Sequence, residues 1–133
     1  MNKIAVDTNI LVYLYDVTDE KKRNVSEKLV AEKPVISPQV ISEYINVTKR
    51  LLKLPKIEIL KRCNLVFEKC IISPLQSKTL SYALFLLEKY DFQLFDAIIV
   101  ASALESNCSI LYSEDLQHNQ LIESSLRIIN PFL

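Results

Sequence analysis

The chain has 133 residues, 50% of them hydrophobic and 24% charged, with 16 basic and 16 acidic side chains that cancel, and it contains no glycine. Average usage of roughly 7% would give about nine glycines. Positive-φ turns and close backbone approach to phosphate depend on glycine, so a P-loop, a G-x-G-x-x-G fingerprint and a kinase-type glycine-rich loop are all excluded. The length fits one domain, residues 1–133, able to bury roughly two-thirds of its unfolded surface without staples.

Taken in chain order, Lys3 to Val6 reads as a short strand ended by Asp7-Thr8-Asn9, after which Ile10, Leu11 and Leu14 recur at helical spacing. A charged helix follows at about Glu20 to Glu32, with Val25, Leu29 and Val30 on its apolar face, then a second strand from Pro34 to Ser37. Pro38 sits where the first turn of a helix tolerates proline, and Val40, Ile41, Tyr44, Ile45, Val47, Thr48 and Leu51 carry that helix onward. Pro55 begins another helix, reaching about Lys69. Ile71-Ile72-Ser73 reads as a third strand, Gln76 to Tyr90 as a helix, and Phe95 to Ser106 as a helix apolar almost all round, which is expected to be buried. Ser109 to Tyr112 and Leu126 to Ile129 supply the last two strands. Short apolar strands alternating with helices predict a three-layer α/β/α sandwich around a central parallel sheet of about five strands.

No apolar run approaches the roughly 20 residues a bilayer span needs, so the expectation is a soluble, cytoplasmic protein with no membrane partner. Cys63, Cys70 and Cys108 are odd in number and lack C-x-x-C spacing, which argues for reduced core thiols. Asn107, Asn119 and Asp91 stand at helix ends and turns, and asparagine and aspartate are the residues best able to replace glycine there. A positive φ is expected at one or more of the three.

Net neutrality hides segregation. Residues 49–69 carry seven basic and two acidic side chains, whereas the segments before and after are net acidic. Lys49, Arg50, Lys53, Lys56, Lys61 and Arg62 are the candidate contacts to a polyanion backbone; the competing reading is the solvated face of amphipathic helices.

Ligands of open parallel sheets collect beyond the carboxyl ends of the strands. Asp7 follows the first strand directly, and Asp115 follows the fourth after Ser113 and Glu114. Glu43 lies in a helix among apolar neighbours, and Asp96 opens the apolar helix. Each has a plainer reading: Asp7 and Asp96 as helix caps, Glu43 as a helix-surface residue, Asp115 as a turn residue. Taken jointly, three or four carboxylates at one sheet edge repel one another unless a divalent cation is held between them, and Mg²⁺ and Mn²⁺ take such oxygen ligands. His118, the only histidine, sits in the same short turn as Ser113 and Asp115, which argues for a turn role over a catalytic triad assembled across the fold.

Val6-Asp7-Thr8-Asn9-Ile10-Leu11, Ser42-Glu43, the run from Phe95-Asp96-Ala97 to Leu104, and Leu111-Tyr112-Ser113-Glu114-Asp115-Leu116 resemble the acidic motifs of PIN-domain ribonucleases, in particular the VapC-type toxins of bacterial toxin–antitoxin pairs. The resemblance extends over essentially the whole chain, through Leu126 to Phe132. It implies a PIN-like fold, with the family's acidic quartet on Asp7, Glu43, Asp96 and Asp115 and supporting polar residues at Asn9 and Ser113. It further implies Mg²⁺- or Mn²⁺-dependent endonucleolytic cleavage of RNA, a homodimer, and a cognate antitoxin that blocks the site. In this reading Asp7, Asp96 and Asp115 bind the metal, while Glu43 holds a metal or orients the attacking water. Two other readings compete: a non-catalytic or weakly catalytic RNA-binding or regulatory protein of the same fold, and a metal-dependent phosphatase or DNA nuclease using the same carboxylates.

Overall fold

Six strands form one sheet in the order β3-β2-β1-β4-β6-β5. They are β1 (Ile4–Val6), β2 (Val35–Ile36), β3 (Ile71–Ile72), β4 (Ile110–Tyr112), β5 (Leu121–Ile122) and β6 (Leu126–Ile129). The structure, a computed structural model, describes residues 3–133. The five strands expected from the sequence are all present and run parallel, with Ala5 opposite Val35 and Leu111, and Leu111 opposite Ile128. The sixth, β5, is two residues long and pairs antiparallel with β6, Ile122 opposite Leu126. It escapes the sequence reading because Leu121-Ile122 is too short to show alternation.

Among the described residues six helices connect the strands: α1 (Thr8–Tyr13), α2 (Glu20–Val30), α3 (Pro38–Leu52), α4 (Lys56–Phe67), α5 (Ser77–Lys89) and α6 (Leu94–Glu105). All three residues of β1 are buried, with no in-out alternation, as a strand covered on both faces requires. The helix α6 behaves as its composition demands: Ala97, Ile99, Val100, Ala101, Ser102 and Ala103 are buried, and it packs against α5, α3 and β2. Leu94 and Phe95, at its start, remain exposed. The core joins Val6, Ile10 and Leu11 to Ile36, Val40, Val100, Leu111 and Ile128. Cys63 and Cys108 are buried and Cys70 is half-buried; all three are free thiols.

Helix ends show how the chain manages without glycine. Asn107 follows α6 with φ of 60°, its N–H donating to the Leu104 carbonyl while the Cys108 N–H donates to Ala103, a complete Schellman closure. Asn119 has φ of 68°, whereas Asp91 does not enter the left-handed region. Four further residues do: Lys33, Lys53, Glu123 and Ser124, with φ between 51° and 56°. Their β-carbons make that region costlier than glycine would, so this backbone carries local strain at these four positions.

The chain leaves β1 toward β2 and β3 on one side, then returns to place β4 and β6 on the other. The carboxyl ends of β1 and β4 therefore flank the point where strand order reverses, which is where an open α/β sheet forms its ligand crevice.

Candidate active site

Asp7 stands immediately after β1 and caps α1, with one carboxylate oxygen accepting from the Thr8 N–H at 2.7 Å. The cap reading is thus correct, and it accounts for only one of the two oxygens. The other accepts from the Ser113 hydroxyl at 2.9 Å, just beyond β4. Ser113 is wholly buried, and its oxygen in turn accepts from the Asp115 and Leu116 N–H groups. One hydroxyl thereby fixes the turn after β4 against the end of β1.

The next two residues each reach a different acidic partner. The Thr8 hydroxyl donates to Glu43 on α3 at 2.5 Å, and the Asn9 amide donates to Asp115 at 2.9 Å. Glu43 also accepts from the Gln39 amide one turn earlier on α3. The Asp-Thr-Asn triplet is therefore a hub: its first residue supplies a carboxylate, and its second and third orient two more. Thr8 and Gln39 were not among the residues singled out from sequence. Thr8 was detectable in principle, since the opening turn of α1 turns consecutive side chains toward different elements around the crevice.

Asp96 lies in the first turn of α6, half-buried, and Gln93 occupies the cap position, so the cap reading of Asp96 does not hold. Burial raises the Asp96 carboxyl above its ordinary value, and the Glu43 and Asp115 charges raise it further. Asp7 is 5% exposed. Burial pushes its carboxyl up to about 6, against the opposing hydrogen bonds from Thr8 and Ser113 and with added repulsion from Asp96 and Glu43. Charge interactions thus couple Asp7 to Glu43 and Asp96, and Asp96 to Glu43 and Asp115.

Among the described residues none of the four is in an ion pair; the lysines and arginines that form such pairs engage Glu114, Glu27, Glu58 and Glu123 instead. Nor do any three His, Cys, Asp or Glu side chains among the described residues stand close enough to form a ready-made cage for one ion. Glu43 is held by Thr8 and Gln39, and Asp115 by Asn9. A hard divalent cation fits this donor set: every donor is a carboxylate oxygen, and Asp7 is buried with no counter-charge.

The turn that carries Asp115 is braced from behind. Glu114 accepts from the Tyr13 hydroxyl at 2.6 Å and pairs with Lys22 on α2 at 2.7 Å. The Lys22 ammonium lies 4.6 Å from the centre of the Tyr13 ring, and the Phe132 ring meets Tyr13 edge-on at 5.2 Å. Burial raises the Glu114 carboxyl, but the Lys22 and Tyr13 contacts outweigh it and hold it below its usual value. The Asn130 N–H donates to His118 Nδ1, giving the histidine a role in anchoring the C-terminal segment.

The basic residues lie elsewhere. Lys49, Arg50 and Lys53 end α3, while Lys56, Lys61 and Arg62 lie on α4; all are exposed. At about 1.5 Å per residue, Lys49 is about 9 Å along the helix axis from Glu43. Arg62 lines an apolar groove of about 670 Å³ with Val12, Tyr44, Leu51 and Leu65. The structure does not bring these basic residues into the acidic crevice.

With this geometry in place, the family follows. The PIN domain profile matches residues 4–122, and the chain belongs to the PIN-domain family. No curated protein sequence matches the chain. Among solved structures, a toxin–antitoxin complex from Klebsiella pneumoniae is similar over 97% of both chains, with 20% identity and a TM-score of 0.71. VapC20 of Mycobacterium tuberculosis, a toxin that cleaves the sarcin–ricin loop, is similar over 85% of this chain and 90% of that one, with 18% identity and a TM-score of 0.67. VapBC2 of Rickettsia felis, solved on a DNA fragment from its promoter, covers 94% of this chain and 96% of its own, at 19% identity and a TM-score of 0.66. At these identities the likeness is one of fold.

Proposed function

We propose that this protein is a divalent-metal-dependent endoribonuclease acting in the cytoplasm as the toxin of a toxin–antitoxin pair. The observation that carries the reading is Asp7: a buried carboxylate at the switch point of the sheet, without a counter-charge among the described residues, facing Glu43 and Asp96. Membership of the PIN family supports nuclease chemistry, and the toxins and toxin–antitoxin complexes of the same fold support the biological setting.

Asp7, Asp96 and Asp115 would hold Mg²⁺ or Mn²⁺, which when bound supplies the Lewis acidity that activates water and offsets charge on the phosphate. Ser113 fixes Asp7, and Asn9 fixes Asp115, so that two of these carboxylates are aimed before substrate arrives. Glu43, clamped by Thr8 and Gln39, orients the attacking water in line with the leaving oxygen and accepts its proton. The exposed cations of α3 and α4 attract RNA at long range without touching the reacting group.

Large exposed apolar side chains support protein partners. Leu51, Leu52, Ile57, Leu60 and Leu65 mark the α3–α4 face, and Leu80, Leu84, Phe85, Leu94 and Phe95 mark α5 and the start of α6, so two apolar faces are available to an antitoxin and a second copy of the chain. Incubation of the purified protein with RNA and Mn²⁺ tests the catalytic reading. Strand scission abolished by chelator and by Asp7→Asn is expected; scission indifferent to both overturns it, and RNA binding without scission points to a non-catalytic binder.

A further inference from the structure

Beside the acidic crevice lies a second cavity of about 480 Å³, and apart from the two carboxylates it shares with the crevice its lining has no part in the proposed chemistry. Asp96 and Asp115 form its edge on the crevice side, and Asp91, Phe92, Gln93, Leu116, Gln117 and Gln120 form the rest. It lies between the start of α6 and the turn that follows β4, so whatever occupies it is a neighbour of the group held by the carboxylates. We propose that this cavity takes one unpaired nucleobase of the RNA next to the scissile phosphate, and that it selects bases carrying an amino group over uracil. The inference rests on the ribonuclease reading for its substrate.

The lining chemistry carries it. No lysine, arginine or histidine lines the cavity, and three carboxylates do. Away from the edge where Asp96 and Asp115 would hold a cation, a phosphate, being anionic and an acceptor only, finds no positive side chain and meets the Asp91 carboxylate. A nucleobase edge is neutral and presents both donors and acceptors, which is the complement that glutamine amides offer. Among the described residues, the amides of Gln93, Gln117 and Gln120 make no side-chain hydrogen bond; Gln93 sits at the cap of α6 without capping it, and Gln120 engages its neighbours through its backbone alone. Phe92, half-buried beside Tyr90 at 5.6 Å between ring centres, and Leu116 supply the apolar contact that a base plane requires. Asp91 is exposed at the rim and accepts hydrogen bonds only, so it favours the exocyclic amino groups of adenine, cytosine and guanine over uracil, whose one base-edge donor, N3–H, lies between two carbonyl oxygens that a carboxylate repels.

Two readouts separate this inference from the reading it rests on. The first is the sequence preference of cleavage on a randomised single-stranded RNA with Mn²⁺. The second is binding of single-stranded oligonucleotides that differ at one base, read by fluorescence anisotropy on the full-length Glu43→Gln chain with Mg²⁺. Both are expected to disfavour uracil at one position, and Gln117→Ala with Gln120→Ala lowers that discrimination by about tenfold at unchanged melting temperature. Asp91→Asn, which keeps the shape and removes the charge, narrows the gap between uracil and the amino-bearing bases. Cleavage that persists with an unchanged sequence profile in these variants overturns the inference and leaves the nuclease intact. Absent cleavage with base-discriminating binding that the variants abolish sinks the nuclease and supports the cavity's role. Variants that keep the RNA preference but lose binding of a hexa-arginine peptide assign the cavity to a basic protein segment, and so overturn it.

Discussion

Replacing Asp7 by asparagine should stabilise the metal-free protein at neutral pH and make it no more stable than the wild type in acid. The folded carboxyl titrates at about 6 against an ordinary value of 3.8, chiefly because it is buried, and secondarily because Asp96 and Glu43 face it. A group whose folded pKa is raised contributes no penalty below about pH 4; stability is then lost as pH rises through the folded value. At about 1.4 kcal/mol per pH unit, the difference places about 3 kcal/mol of destabilisation on the ionised Asp7 above pH 7. Asparagine removes the charge while keeping one carbonyl oxygen to accept from Thr8 or Ser113, at a cost of about 1 kcal/mol for the bond forgone. The net gain expected at pH 7.5 is about 1–3 kcal/mol, or roughly 3–10 °C in melting temperature for a domain of this size. Urea unfolding in EDTA at half-unit steps from pH 4 to 8 measures it. Mn²⁺ should then raise the stability of the wild type and leave Asp7→Asn nearly unaffected. A variant less stable than wild type throughout, or a difference independent of pH, would refute the view that Asp7 is a carboxylate lacking a counter-charge.

Three further outcomes are expected. Thr8→Val, which removes the hydroxyl held by Glu43, should lower kcat for RNA cleavage by about 10–100-fold with little change in KM, and Thr8→Ser should restore most of it. Lys33→Gly should raise stability by about 0.5–1 kcal/mol in thermal unfolding, because Lys33 is exposed with φ of 54° where a β-carbon is unfavourable. Leu111→Ala, at the fully buried centre of β4, should cost about 2–5 kcal/mol in urea unfolding.

The alternation of strands and helices was legible because each element carries its own period and its own boundary. Pro38 and Pro55 mark the starts of α3 and α4, Asp7 ends β1, and α6 announces its burial by having no polar face. The order of strands was not legible, since two- and three-residue apolar runs carry no information about which neighbour they pair with. The acidic residues could be singled out because carboxylates after strands, or beside an apolar helix, need an explanation. What linked them could not be read. Thr8 looks like an ordinary helix-start residue until α3 is packed against α1, and Glu114 looks like a spacer until Lys22 and Tyr13 close on it. The basic segment is the most visible charge feature of the sequence, and its side chains stand exposed along α3 and α4.

The central proposal is that Asp7, Glu43, Asp96 and Asp115 together form a divalent-cation site. Diffraction from crystals soaked in Mn²⁺, recorded at the manganese absorption edge, tests this most directly. An anomalous peak bounded by Asp7, Asp96 and Asp115, with Glu43 within reach of a water beside it, is predicted. A peak elsewhere on the molecule, or none while the crevice is open to solvent, would contradict it.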